Sequence, residues 1–119
     1  MNYTVNKEID EYKKKAEQGD AEAQCSLGDC YRLGLGVEQD YSAAFKWYQL
    51  SAEQGNSEAQ FCLGTLYEEG LDVEQNLELA VDWYRKSAEQ GNADAQCALG
   101  DYYRLGQGVE QDYSESIKW

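Results

Sequence analysis

The chain has 119 residues, enough for one ordinary domain or a short repeat array. Hydrophobic residues make up 42%, so a core is available, and 23 acidic against 10 basic side chains give a formal charge of −13. That balance opposes binding to nucleic acid or to an anionic membrane, both of which need a basic surface. The absence of histidine removes Ser-His-Asp, Cys-His and histidine–metal constellations.

Met1 to Asp10 has no apolar core of the signal-peptide type, and no run approaches the roughly 18 apolar residues of a membrane span. The sequence reads as soluble. The first expected element covers residues 4–18. Ile9, Tyr12 and Ala16 make a single apolar stripe, backed by Glu8, Asp10, Glu11, Lys13 and Lys14. One stripe and a charged back suit a capping helix at the end of a stack (residues 1–18). Thr4 falls where later helices have a cap residue.

From Ala16 onward the chain repeats itself. Ala16-Glu17-Gln18-Gly19 recurs as Ala52-Glu53-Gln54-Gly55 and Ala88-Glu89-Gln90-Gly91, a period of 36 residues. Each phrase leads to an Ala-Gln pair, at Ala23-Gln24, Ala59-Gln60 and Ala95-Gln96. A fixed period of this length means stacked copies of one supersecondary unit. The boundaries are residues 19–54, 55–90 and 91–119, the third copy truncated.

Repeat one shows the design. Gly19 ends one helix, and Asp20 caps the next, with Asn56 and Asn92 in the same slot. A helix is expected from Ala21 to Leu33, with Ala23, Leu27, Cys30 and Tyr31 on its apolar face. Gly28, recurring as Gly64 and Gly100, admits a close neighbour. The helix stops at Gly34, recurring as Gly70 and Gly106. A loop follows whose Val37, Val73 and Val109 tuck back onto the core. Asp40, Asn76 and Asp112 cap a second helix, whose packed face is Tyr41, Ala44, Trp47, Tyr48, Ser51 and Ala52. Trp47, Trp83 and Trp119 are expected to fill the space left by the alanines. No strand is predicted and no proline interrupts a helix.

Cys25 and Cys97 occupy one slot two repeats apart. Stacked helices advance roughly 10 Å each, far beyond disulfide reach. Cys25 and Cys30 are separated by roughly 140° on one helix. No C-x-x-C occurs. All four cysteines, with Cys62, therefore read as reduced thiols in or near the core, which points to the cytoplasm.

The phrase Ala-Glu-Gln-Gly-x-x-x-Ala-Gln-x-x-Leu-Gly-x-x-Tyr-x-x-Gly-x-Gly-Val, followed by Asp-Tyr-x-x-Ala-x-x-Trp-Tyr, resembles the Sel-one-like repeat (SLR) family, relatives of tetratricopeptide repeats. Two residues beyond the 34 of a tetratricopeptide unit lie in the Gly-x-Gly-Val loop. Glu38, Glu74 and Glu110 stand where the family often has proline, and Asp72 replaces the second loop glycine. The resemblance implies an all-α, right-handed α-solenoid of helix-turn-helix repeats, acting as a non-catalytic adaptor or scaffold for a protein or peptide.

By analogy with tetratricopeptide arrays, the first helix of each repeat lines a concave groove. The groove positions are Glu22, Cys25, Asp29, Arg32 and Leu33, then Glu58, Phe61, Thr65, Glu68 and Glu69, then Asp94, Cys97, Asp101, Arg104 and Leu105. Five residues so spaced fall within an arc of roughly 100° opposite Leu27. Their mixture favours a partner segment with basic and apolar residues, anchored near Phe61, Leu33 and Leu105. The alternative is self-assembly, the open end of one copy docking on the first helix of another.

An enzyme is not expected. No base partner is identifiable for a cysteine nucleophile. Paired acids such as Glu68-Glu69 read as a solvated surface, and Gly34-x-Gly36 lacks the strand and lysine of a phosphate loop. No metal or cofactor site is expected.

Overall fold

The computed structural model describes residues 3–106, 115, 118 and 119, with side chains from Lys7 onward. Its helices are α1 (Tyr3–Glu17), α2 (Ala21–Leu33), α3 (Tyr41–Glu53), α4 (Ser57–Glu69), α5 (Leu77–Glu89) and α6 (Ala93–Leu105). No strand occurs among the described residues. Helices α2 and α3 form the first repeat and α4 and α5 the second, with α6 opening the third. Helices α2 and α4 pack on the second helix of their own repeat and, like α6, on the helix before them. The result is an all-α repeat solenoid, 49 × 25 × 21 Å along its principal axes.

The caps fall where the sequence places them. Asp20, Asn56 and Asn92 have extended backbone and accept from the Ala23, Ala59 and Ala95 amides. Asp40 and Asn76 do the same for α3 and α5; Asp112 lies outside the described residues. Each satisfies a donor that a helix start leaves orphaned. Gly34, Gly70 and Gly106 end α2, α4 and α6 in the left-handed region. Asp72 keeps a φ of 57° in the slot where Gly36 has 72°, a conformation that a short polar side chain tolerates better than most. Helix α1 begins at Tyr3, so Thr4 lies within it rather than ahead of it.

The core differs from expectation in its centre. The tyrosines after the tryptophans, Tyr48 and Tyr84, are the largest fully buried side chains, whereas Trp47 and Trp83 are half-buried at the rim. Lys46 and Lys86 lie over the two indoles at 5.7 and 4.3 Å. The reason is the glycine that meets each ring from the partner helix. A Cβ built on Gly28 would meet the Tyr48 ring at 2.7 Å, and one on Gly64 would meet Tyr84 at 2.8 Å. The phenol rings occupy the space that a side chain at Gly28 or Gly64 would need. Val37 and Val73 are half-buried but not among the side chains packed against the core clusters, and Val109 lies outside the described residues.

Polar side chains tie each first helix to the helix before it and, through a serine, to the second helix of its own repeat. Gln24, Gln60 and Gln96 donate to the carbonyls of Ala16, Ala52 and Ala88 at 3.1, 3.2 and 3.1 Å. Ser51 and Ser87 donate to the Ala21 and Ser57 carbonyls at 2.6 and 2.7 Å. No buried side-chain nitrogen or oxygen is left without a partner among the described residues. In α1 the slots of Ala44 and Ser51 hold Glu8 and Lys15, both exposed.

Candidate partner-binding groove

The expected groove positions lie on α2, α4 and α6 and fall into three groups. Glu22, Leu33, Glu58, Glu69, Asp94, Cys97, Asp101, Arg104 and Leu105 are exposed. Asp29, Arg32, Phe61, Thr65 and Glu68 are half-buried. Cys25 is buried, packed into the cluster of Ala59, Cys62, Leu63 and Leu66. It therefore faces α4 rather than an open groove, whereas Cys97 in the same slot of α6 is exposed. Cys97 also departs from the expectation of four thiols in or near the core.

Between α2 and α4 is a depression of about 150 Å³, lined by Arg32, Glu58, Phe61, Cys62 and Thr65. Four of these were legible as groove positions. Cys62 was not, because it sits on the border of the apolar stripe and lines the floor from the core side. A second depression, about 250 Å³, lies between α1 and α2 and is lined by Glu8, Ile9, Tyr12, Ser26, Asp29, Cys30 and Leu35. Its α1 wall contains no expected groove residue.

The charges of this face are not equally available. Arg32 Nε donates to the Tyr48 hydroxyl at 2.9 Å, and its guanidinium lies 3.5 Å from Asp29. The Tyr48 hydroxyl donates in turn to Asp29. Burial pushes the Tyr48 phenol well above its ordinary range, so it remains a donor. In repeat two the Tyr84 hydroxyl donates to Glu68 at 3.1 Å and lies 3.3 Å from Thr65 Oγ1. Glu68 also accepts from the Tyr102 hydroxyl of α6. Arg104 lies 3.3 Å from Asp101. Glu22, Glu58 and Asp94, in the first turns of their helices, form no ion pair among the described residues.

Burial raises the Cys25 and Cys62 thiols to about 12, with Asp29 adding to the rise, the opposite of what a thiolate nucleophile needs. No group of three or more cysteine, aspartate or glutamate side chains among the described residues is placed to hold a metal ion.

The Sel1 repeat model matches residues 21–56, 57–92 and 93–119. The chain belongs to the Sel1 repeat family. A Sel1 repeat protein from Oxalobacter formigenes is 37% identical, with a TM-score of 0.91 over 97% of this chain and 47% of its own. A protective antigen of uropathogenic Escherichia coli with an SLR fold is 43% identical, with a TM-score of 0.91 over 97% of this chain and 25% of its own. Helicobacter pylori cysteine rich protein B is 27% identical, with a TM-score of 0.72 over 98% of this chain and 86% of its own. The chain thus spans about half of the first of these proteins and a quarter of the second. No functionally curated protein matches it. Sel1 repeat proteins are in general protein-interaction scaffolds and are typically non-catalytic.

Proposed function

We propose that this Sel1 array is a non-catalytic scaffold that holds a basic, partly apolar segment of a partner protein against the face built from α2, α4 and α6. The observation that carries the reading is the half-exposed Phe61 in the depression between α2 and α4, flanked by Arg32 and Glu58. An aromatic side chain in a recess with charges at its rim is the usual make-up of a binding hot spot. The charge bias supports a basic partner. Arg32 is bound to Asp29 and Tyr48, whereas Glu22, Glu58 and Asp94 form no ion pair among the described residues. Selection from a displayed library of random dodecapeptides tests it. Lysine or arginine should be enriched beside an apolar residue, and Phe61→Ala should weaken the selected peptides by about tenfold or more. Peptides that bind wild type and Phe61→Ala equally would end the reading.

Self-association is the second reading, favoured by Cys97. Its equivalent, Cys25, is covered by α4, whereas Cys97 is exposed on α6. Sedimentation velocity over a wide concentration range separates the two, since a strict monomer at high concentration removes self-association.

A further inference from the structure

The three repeats share one backbone plan, yet their junctions differ where side chains cross. At the junction of repeats two and three, Tyr102 reaches from α6 to the Glu68 carboxylate on α4, and its ring lies 5.9 Å from that of Tyr84. The equivalent of Tyr102 in repeat two is Leu66, which has no hydroxyl and is fully buried. The equivalent of Glu68 in repeat one is Arg32, which turns back to Tyr48 and Asp29 within its own repeat. No side-chain hydrogen bond joins α2 to α4 among the described residues, and the depression at that junction is about 150 Å³. A cavity of that order accommodates a benzene-sized group.

We infer that recognition by this face is asymmetric: one leucine- or phenyl-sized anchor of the partner enters between α2 and α4, with an adjacent lysine or arginine paired to Glu58. The junction of repeats two and three serves as a rigid floor, stapled by Tyr102 and Glu68, and takes no anchor. The anchor contacts Phe61 and the apolar edges of Cys62 and Thr65, and the cation meets a carboxylate that spends nothing on an internal partner. The inference rests on the scaffold reading above and deepens it.

Two exposed carboxylates in equivalent slots make a matched test. Glu58 and Asp94 each sit in the first turn of their helix, so Glu58→Lys and Asp94→Lys disturb the fold alike. The probe is a fluorescein-labelled Gly/Ser decapeptide with a central Lys-Leu-Lys, with Lys-Asp-Lys as its control, read by fluorescence anisotropy. The probe should bind the wild type and the control should not. Glu58→Lys should weaken the probe at least tenfold and Asp94→Lys less than threefold, with amide shift changes centred on Arg32, Phe61 and Thr65. Equal weakening by the two variants, or shifts spread evenly over α2, α4 and α6, would overturn the single anchor and leave the scaffold reading standing. Binding that neither variant alters, with shifts on α3 and α5, would remove both. No binding of the probe at millimolar concentration would likewise overturn the anchor, and the library selection then decides the scaffold reading separately.

Discussion

The Gln90 side chain donates to Gln60 Oε1 at 2.8 Å, joining the end of α5 to the core of α4. Gln60 is itself buried and donates to the Ala52 carbonyl at the end of α3. One glutamine thus serves three consecutive helices, and the same link recurs one repeat earlier as Gln54 to Gln24. Truncating Gln60 to alanine removes both bonds, while the Ala52 carbonyl keeps the Gly55 amide at 2.9 Å and the exposed Gln90 amide turns to water. Each lost hydrogen bond is worth about 1 kcal/mol net, so losing two should make Gln60→Ala roughly 2 kcal/mol less stable, read as a lower urea midpoint. Gln96→Ala is the control. Gln96 is half-buried and its side chain has only the Ala88 carbonyl as partner among the described residues, so it should lose about 1 kcal/mol. Equal losses would show that the link between glutamines contributes nothing.

Gly28 and Gly64 give a prediction whose sign runs against helix propensity. In an exposed helix interior, replacing glycine by alanine gains about 1 kcal/mol. Here the new methyl meets the Tyr48 ring at 2.7 Å at Gly28, and at Gly64 the Tyr84 ring at 2.8 Å and the Ala80 carbonyl oxygen at 3.2 Å. Both rings are fully buried and have nowhere to go. Overpacking of this kind costs about 1–3 kcal/mol. Gly28→Ala and Gly64→Ala should therefore both melt at a lower temperature than wild type. A higher melting temperature for either would mean that the ring slides aside at no cost.

The folded plan was legible because it is written three times. Caps, helix stops and the apolar stripe recur in register, and each depends on a residue and its near neighbours in sequence. What escaped depends on contacts between repeats. Cys25 and Cys97 share a slot and differ in exposure because α4 covers one and no described helix covers the other. The sequence points to tryptophan as the space filler by size, but the rings that close against Gly28 and Gly64 are the smaller phenols of Tyr48 and Tyr84. Gln24, Gln60 and Gln96 stand out as recurrent words, yet a polar side chain beside an alanine does not reveal that it is buried. Ser51 and Ser87 are likewise polar at a packed position, and only the carbonyl opposite shows why.

Two Asp-x-x-Arg pairs with nearly the same local sequence should differ in worth. Asp29 accepts from Tyr48, a phenol buried in the core, and lies 3.5 Å from Arg32. Asp101 has the 3.3 Å pairing with Arg104, and its side chain is 58% exposed against 38% for Asp29. A hydrogen bond to a charged group contributes about 1.5–3 kcal/mol, whereas an exposed ion pair contributes about 0–1 kcal/mol. Asp29→Ala should therefore cost at least about 1.5 kcal/mol and Asp101→Ala below about 0.5 kcal/mol, measured by chemical denaturation. Tyr48→Phe, which removes the hydroxyl alone, should reproduce most of the Asp29→Ala loss; a wild-type midpoint for it would assign that loss to helix effects instead.

The cysteines divide by accessibility and give a prediction in pH. Cys97 is exposed, whereas Cys25 and Cys62 are buried and raised to about 12. Burial is the leading cause for both, because an apolar surround penalises the thiolate. Native protein treated with iodoacetamide at pH 8 should be alkylated rapidly at Cys97 and slowly at Cys25 and Cys62, as read by peptide mass, and Cys97→Ser should abolish the rapid phase. Raising the pH to 9.5 should leave Cys25 and Cys62 protected in proportion to global stability. The linkage has a definite sign. In the unfolded chain these thiols ionise in the ordinary range near 8.5, so above that pH the unfolded state binds fewer protons than the native state. The stability they contribute is complete below the unfolded value and is lost as the pH climbs towards 12. The urea midpoint should fall over that window, and the fall should be shallower in a Cys25→Ala/Cys62→Ala variant than in wild type. Equal slopes would show that both thiols ionise alike in the native and unfolded chains.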